Sequence, residues 1–406
     1  MSIPTTSTPV GLRRDAGVIG LVGLGHLVSH FSQLLLPPLF PWLKDAFEVS
    51  YTELGLLMTL YFVVSCAMQA VSGFLVDRHG PRLLLFTGLL LIVVAAFGLS
   101  MATSYAMLAV FVVVAGCGNA VFHPVNFTIL NRKVSSSRLG HAYSVHGLTG
   151  SLGWALAPAL LVPLALAFSW RTALAGAGVL AAAILALIWA YRARLELPHA
   201  PARPETPTEP RGESTLGFLR IPSVWMCALF FLLYAMILTV VQAFAPEAAR
   251  HLHGVPVGLA AVCLSVYMVC SGAGMVMGGF LAADPQRCER IVAMGIGVAA
   301  VIALLIALAP VPALAVPALF GAMGLSAGLA GPSRDLLVKR STPENASGRV
   351  YGIVYSGLDI GQALAAPAFG WLMDQQHYTG VWLGLVLVQL LLIVSAFNVR
   401  RVRRTA

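Results

Sequence analysis

Three short stripes of polar residues stand out in a chain that is otherwise largely apolar. His26, His30 and Gln33 are spaced i, i+4, i+7, and Asn119, His123 and Asn126 repeat that spacing, as do Tyr355, Asp359 and Gln362. On helices each trio shares one face. Imidazole titrates at about 6.5 in water, so a set of histidines with a carboxylate can take and give protons in the physiological range. The amides and the phenol add donors and acceptors for a polar cargo. The chemistry these residue types permit is proton exchange coupled to recognition of a small molecule, with Asp359 and His26, His30 or His123 handling the protons. Arg334 and Asp335 form either a charged ligand contact or a gating ion pair near a helix end. His146 is compatible with a packed ring bonded to a neighbouring carbonyl.

Other chemistries are poorly supplied. Gly324-Leu-Ser-Ala-Gly328 matches G-x-S-x-G, but it lies in an apolar helical run and not at a strand-to-helix elbow. There is no H-E-x-x-H motif, and the His26/His30 pair alone offers too few ligands for a metal site. No catalytic residues, metal or cofactor are expected, and no nucleotide-binding motif supports ATP-driven work. Cys66, Cys117, Cys227, Cys263, Cys270 and Cys288 form no C-x-x-C pair, so no disulfide framework is expected.

The elements that position these groups follow from composition. Of 406 residues, 58% are hydrophobic and 10% charged, and the mean hydropathy is +0.86. A soluble core cannot hide that much apolar surface. Apolar runs of roughly 20 residues, enough to cross a hydrocarbon layer of ~30 Å, follow one another along the chain. In lipid each backbone amide must be bonded within its own segment, so these runs are helices. The expected fold class is all-α integral membrane, with about twelve spans near 17–43, 51–76, 83–101, 105–131, 139–163, 169–193, 222–247, 257–282, 291–309, 312–340, 349–373 and 379–398.

The lysines and arginines fall almost entirely between alternate spans. Only Lys44, Arg171 and Arg250 fall on the other side, which puts both termini in the cytoplasm of an inner membrane. The net charge of +9 is thereby explained by membrane topology, and no nucleic acid is expected. The Pro-, Glu- and Thr-rich stretch within 196–220 reads as a cytoplasmic linker between six-helix bundles at 1–195 and 221–406. The halves repeat weakly. A displacement of 206 positions lays Tyr61, Ser65, Gly73, Phe74 and Leu75 on Tyr267, Ser271, Gly279, Phe280 and Leu281, as expected for a duplicated bundle.

Between the second and third spans, Gly73-Phe-Leu-Val-Asp77-Arg78-His-Gly80-Pro-Arg82-Leu-Leu-Leu85 resembles the loop signature of the major facilitator superfamily, departing from it at Pro81. The resemblance implies a major facilitator fold of two pseudo-symmetric six-helix bundles. It also implies a conformational latch of Gly73, Asp77, Arg78, Gly80 and Arg82, in which the Asp77 carboxylate sits at the N-terminus of helix eleven. Gly118-Asn-Ala-Val-Phe-His123-Pro124, Pro332-Ser-Arg334-Asp335, Gly348-Arg-Val-Tyr-Gly352 and Tyr355-Ser-Gly-Leu-Asp359 look like the fosmidomycin-resistance-like branch. That branch usually has an acidic residue where this chain has His30, so its proton chemistry is expected to differ.

The family fold lines a central cavity with helices one, four, seven and ten. The resemblance therefore implies that the first two stripes meet there, joined by Tyr234 and Gln242 on helix seven and Ser326 and Arg334 on helix ten. The function expected is proton-coupled secondary transport by alternating access, with export of a small organic compound, an anion among the options, or of a drug as the leading direction. Proton-coupled uptake of a small organic acid is the alternative, and a channel or intramembrane enzyme is the alternative of another class. Expected partners are the small-molecule substrate, protons and the lipid bilayer, around a monomer.

Overall fold

The computed structural model describes residues 11–197, 222–281, 287–334 and 348–405. Most of the expected linker and Asp335 lie outside them. The regular structure of the described residues is entirely helical. The first six spans are α1 (Leu12–Phe47, broken after Gln33), α2 (Tyr51–His79), α3 (Pro81–Ser100), α4 (Tyr105–Lys133, broken after Asn119), α5 (Leu139–Ala167) and α6 (Trp170–Ala190). The second six are α7 (Pro222–Thr239 joined through a π-turn to Ala245–His253), α8 (Val257–Leu281), α9 (Cys288–Leu308), α10 (Ala313–Arg334), α11 (Gly348–Asp374) and α12 (Tyr378–Thr405). Eleven of these, among the described residues, are long and apolar enough to cross a membrane. The remaining one, α11, has 27 residues, about 40 Å of helix, and is the polar one that carries Asp359. The protein is a multi-pass membrane protein.

Serines open three of the spans. Ser50 makes a full capping box with Glu53, and Ser104 and Ser169 accept from Met107 N and Thr172 N, satisfying amides that a helix start leaves without partners. Prolines break three spans. Pro37 and Pro38 interrupt α1, and Pro246 follows the π-turn 240–244 of α7. The two breaks sit at equivalent positions of the two halves, because a proline removes a helical donor and crowds the preceding turn. In α4, Pro124 cannot donate to the carbonyl of Ala120, and that oxygen accepts from Ser72 Oγ of α2 at 3.1 Å instead. Continuous helices were expected at α4 and α7. The proline chemistry makes them two-part.

The duplication is carried into the packing. Gly116 of α4 lies against the carbonyl of Tyr61, and Gly324 of α10 against that of Tyr267. Gly88 of α3 faces the Gly118 carbonyl, as Gly295 of α9 faces that of Ser326. The G-x-S-x-G sequence is thus a helix-packing element: Gly324 and Gly328 press α10 onto the α8 backbone, answered by Gly274 and Gly278 of α8 against Leu325 and Leu329. Small residues at this spacing let helices in lipid approach to backbone contact. The hydroxyl of Ser326 bonds its own helix at Met323 O, 3.0 Å away.

The halves meet along two seams, α2 with α11 and α5 with α8. At the end far from the termini the Asp374 carboxylate receives Tyr51 N at 2.7 Å, Thr52 N at 2.8 Å and Thr52 Oγ1 at 2.5 Å. An α11 acid thereby caps the N-terminus of α2, where the macrodipole favours an anion. Beside it Tyr51 Oη donates to Glu247, which also holds Arg250 at 2.6 Å and His251 at 3.1 Å. The first seam continues through Thr59 Oγ1 to Ala363 O at 2.7 Å, and the second through Ser265 Oγ to Ala155 O at 3.1 Å. Toward the termini, Phe74 of α2 and Val276 and Met277 of α8 are exposed. The two halves are closed at one end and splayed at the other. Lys44, Arg171 and Arg250 sit at the closed end, beside Tyr51, Ala102 and Glu247 respectively.

Hydrogen bonds to a charged group contribute about 1.5–3 kcal/mol each. Asp374→Ala is therefore expected to accelerate labelling of a cysteine placed at the buried Leu36 by an impermeant maleimide, by roughly tenfold or more, in an otherwise cysteine-free background. An unchanged rate would mean that this cap does not hold the closed end.

Candidate functional site

The seams α2/α11 and α5/α8 flank a central space walled on one side by α1 and α4 and on the other by α7 and α10. Extended contact between those walls is confined to the α1 break meeting the α7 π-turn near the closed end. There, Pro37, Pro38, Gln242, Glu247 and residues of α5 and α8 enclose a small cavity of about 40 Å³. Gln242 is buried, and its Nε2 has no hydrogen-bond partner.

On the first wall four histidines come together. His26 stacks on His146 with ring centroids 3.6 Å apart and interplanar angle 16°. His30 lies 4.3 Å from His26, and His123 lies 5.5 Å from His26 and 6.4 Å from His30. Three spans supply these rings, α1, α4 and α5. Room for them comes from Gly150, one turn beyond His146: a Cβ there would stand 2.8 Å from His30 Cε1 and 3.0 Å from His26 Nε2. Trp154, a further turn on, lies 4.2 Å from His30 and donates to Gln33 Oε1 at 2.9 Å. Asn126 Nδ2 donates to His146 Nε2 at 3.2 Å. His26 and His146 are buried, whereas His30 and His123 are half-buried. Two imidazolium ions about 4 Å apart repel by about 4 kcal/mol at the effective dielectric of a protein site. The stacked pair therefore carries one proton at most.

Asn119, expected on the same stripe as His123, does a different job. Its Oδ1 accepts from Ser29 Oγ at 2.6 Å and its Nδ2 donates to Ser65 Oγ at 2.9 Å, tying α4 to α1 and α2. Asn119 lies just before the helix break, one turn from His123, and still faces α1 through Ser29. Ser32 Oγ and Tyr61 Oη, 3.0 Å apart, add a second α1–α2 tie.

The second half supplies the carboxylate. Asp359 contacts the Cys66 thiol and influences Tyr61 across the α2/α11 seam, and Gln362 is buried one turn away. The guanidinium of Arg334 lies over the ring of Tyr234, 4.1 Å from its centroid, a cation–π pair that joins α10 to α7. Asp359 belongs to a seam, whereas the histidines belong to the wall formed by α1, α4 and α5 of the first half. The side chains of Tyr355 and Asp77 and the whole of Asp335 fall outside the described residues. Of the loop signature, Gly80 has φ +82° and closes α2 by donating to Val76 O at 2.9 Å. A Cβ on Gly73 would meet nothing, Arg78 is exposed, and Arg82 pairs with Glu196 at the end of α6, 3.4 Å away.

His146, Gly150 and Trp154 are the residues that the stripes of α1 and α4 left out. Their own spacing of i, i+4, i+8 is the signal that would have found them. Among the described residues no group of three or more His, Cys, Asp and Glu side chains has the arrangement to hold a metal ion.

Helical spans in two similar groups of six, with polar groups gathered around a central gap, define a membrane carrier fold. The sequence profile of the Major Facilitator Superfamily matches residues 22–323, and the chain belongs to that family. Over 148 residues it is 26% identical to the fosmidomycin resistance protein of Escherichia coli K12, a stretch covering 36% of each chain. It is 29% identical over 151 residues to YfnC of Bacillus subtilis 168, an uncharacterized MFS-type transporter, covering 36% of this chain and 37% of the relative. A probable nitrate transporter of Staphylococcus aureus, NarT, is 24% identical over 149 residues, 37% of this chain and 38% of the relative. The matched stretch thus spans little more than a third of each of these relatives. Among solved structures, a bacterial homologue of the human lysosomal transporter Spinster, inward-facing and unoccupied, superposes with a TM-score of 0.78 over 98% of both chains at 16% identity. The nucleoside transporter NupG gives 0.71 over 93% of this chain and 99% of its own, at 13% identity.

Asn119→Ala removes two buried bonds and leaves two serine hydroxyls of the first half without partners. It is expected to lower unfolding stability by about 1–3 kcal/mol, read as a lower thermal midpoint in detergent. An unshifted midpoint would show that the tie carries no stability.

Proposed function

We propose that this protein is a proton-coupled secondary transporter that works by alternating access and carries a small organic anion or drug. The observation that carries the reading is the pair of titratable centres on opposite sides of one closed-and-splayed arrangement: imidazoles in the first half, Asp359 on the seam of the second. A proton that moves on or off either centre changes the charge facing the gap, and the seams are the surfaces on which one half can rock against the other. With the lysine and arginine asymmetry setting both termini in the cytoplasm of the inner membrane, the splayed end opens inward. The arrangement calls for no enzyme chemistry, and a monomer suffices to form it.

Export in exchange for protons is the direction supported by the relative named for fosmidomycin resistance. It requires cargo and proton to exclude each other, as they do where a cargo donor and a proton compete for the Asp359 oxygens. Uptake together with protons is favoured by a different observation: the histidine cluster has no acid of its own, so a proton there leaves a positive charge for an anionic cargo to balance. The probable nitrate transporter among the relatives is named for an anion.

Vesicles containing the purified chain and a pH gradient separate these readings. Accumulation of nitrate or methylphosphonate with an alkaline lumen marks symport, and accumulation with an acidic lumen marks exchange. Asp359→Asn is expected to bring gradient-driven accumulation to the leak level while exchange of labelled for unlabelled cargo persists. Accumulation unchanged in this variant would remove Asp359 from the coupling. Flux indifferent to the pH gradient would remove the reading itself.

A further inference from the structure

The histidine cluster holds more unsatisfied hydrogen-bonding capacity than its packing uses. His26 Nδ1, His30 Nδ1 and Asn126 Oδ1 are buried and have no partner, although buried polar atoms are normally paired. His26 is 2% exposed and His146 6%, whereas His30 and His123 form the half-buried side of the cluster. None of the ion pairs of the described residues includes any of the four.

The surrounding charges are few. On α4 and α5 there is no carboxylate, and within Leu12–Gln33 of α1 the one acid, Asp15, is bound to Arg138 at 2.9 Å and to Ser135 near the other end of the helix. Across the gap stand Arg334 over Tyr234, and Asp359 beside Cys66 on the α2/α11 seam. Every titratable group that the three packed helices bring to the cluster is therefore an imidazole. A proton taken up here produces a cation with no acid beside it, in a membrane interior where an unbalanced charge is costly. The stack of His26 on His146 limits the load to one proton.

We propose that the four-imidazole cluster is a proton-linked oxyanion site, which takes one proton together with the oxyanion head of a small carboxylate, phosphonate or nitrate-like ligand. The inference rests on the transporter reading and names its cargo class. His30 and His123 offer ring N–H groups on the accessible side, and one ring of the stacked pair His26 and His146 carries the proton behind them. Gly150 is the clearance that lets the rings approach one another. Because the proton and the anion stabilise each other's binding, each tightens the other to the same degree, which is the linkage of a symporter.

The test uses the full-length purified chain in detergent, titrated with nitrate, methylphosphonate and lactate at constant ionic strength. At least one is expected to bind, with Kd weakening about tenfold per pH unit between about pH 6.5 and 8.5, the slope of one linked proton. Calorimetry in buffers of different ionisation heat should count about one proton taken up per anion. His26→Gln with His146→Gln, and separately Gly150→Leu, should flatten that slope and weaken binding by about tenfold or more at the acid end. The proposal is overturned if none of the three anions binds, if binding does not depend on pH, if no proton is taken up, or if both variants keep the wild-type slope. Should the variants fail to fold, the wild-type slope and proton count decide alone. Gradient-driven flux without pH-linked binding would remove the cluster's role and leave the transporter reading intact. Absent flux would remove that reading.

Discussion

In lipid a polar group has no water to fall back on, and most of this structure follows from finding it a partner inside the protein. The carbonyl of Ala120, freed by Pro124, is met by Ser72. Asn119 is met twice, by Ser29 and Ser65. Trp154 spends its N–H on Gln33. The helix ends obey the same constraint, through the Ser50, Ser104 and Ser169 caps and through Asp374 on the first amides of α2. Against that background nine buried side-chain atoms of the described residues have no partner; three of them, on His26, His30 and Asn126, gather in one cluster, whereas the other six lie elsewhere. That contrast is the physical basis for assigning a ligand to the cluster.

Rigidity within each half and contact between the halves both use glycine contacts, Gly55 of α2 and Gly370 of α11 lying on the Ala366 and Tyr51 carbonyls across the seam. Within a half, glycines bring backbones together, α4 on α2 and α3, and α10 on α8 and α9, in two matching sets. Such contacts are close-packed and have few alternative arrangements. Between the halves the side-chain ties are hydrogen bonds, concentrated at the end where Tyr51 and Thr52 meet Glu247 and Asp374. Such ties contribute about 1.5–3 kcal/mol each where an acid accepts them, and at a helix end water can replace them one by one. A stiff half joined by breakable contacts to another stiff half is what rocking requires.

How much of this the sequence discloses depends on whether an interaction is local. Helix number, the two-fold repeat and the His26/His30 face are periodic signals and are read directly. The repeat at Tyr61 and Tyr267 reappears as matching contacts with Gly116 and Gly324. On the stripe of α4 the break before Pro124 falls between Asn119, which bonds Ser29 and Ser65, and His123 and Asn126, which join the imidazoles. Of Gln242 and Ser326, which the family resemblance implied on the cavity wall, the first lines the small cavity at the closed end from its π-turn, and the second bonds Met323 O of its own helix. Gly150 signals close contact in the sequence, but that the contact is with two imidazoles depends on three helices at once. The Asp374 cap joins residues more than 300 positions apart, and no local pattern encodes it.

Central to this account is that the closed-and-splayed arrangement is one of two states and that the cluster's ligands shift the balance between them. Spin labels on Tyr143 of α5 and Met277 of α8, both exposed at the splayed end, report the separation of the halves directly. Two distance populations are predicted, the shorter one growing when methylphosphonate is added at acid pH. A single distance, unmoved by pH or by the anion, would contradict it.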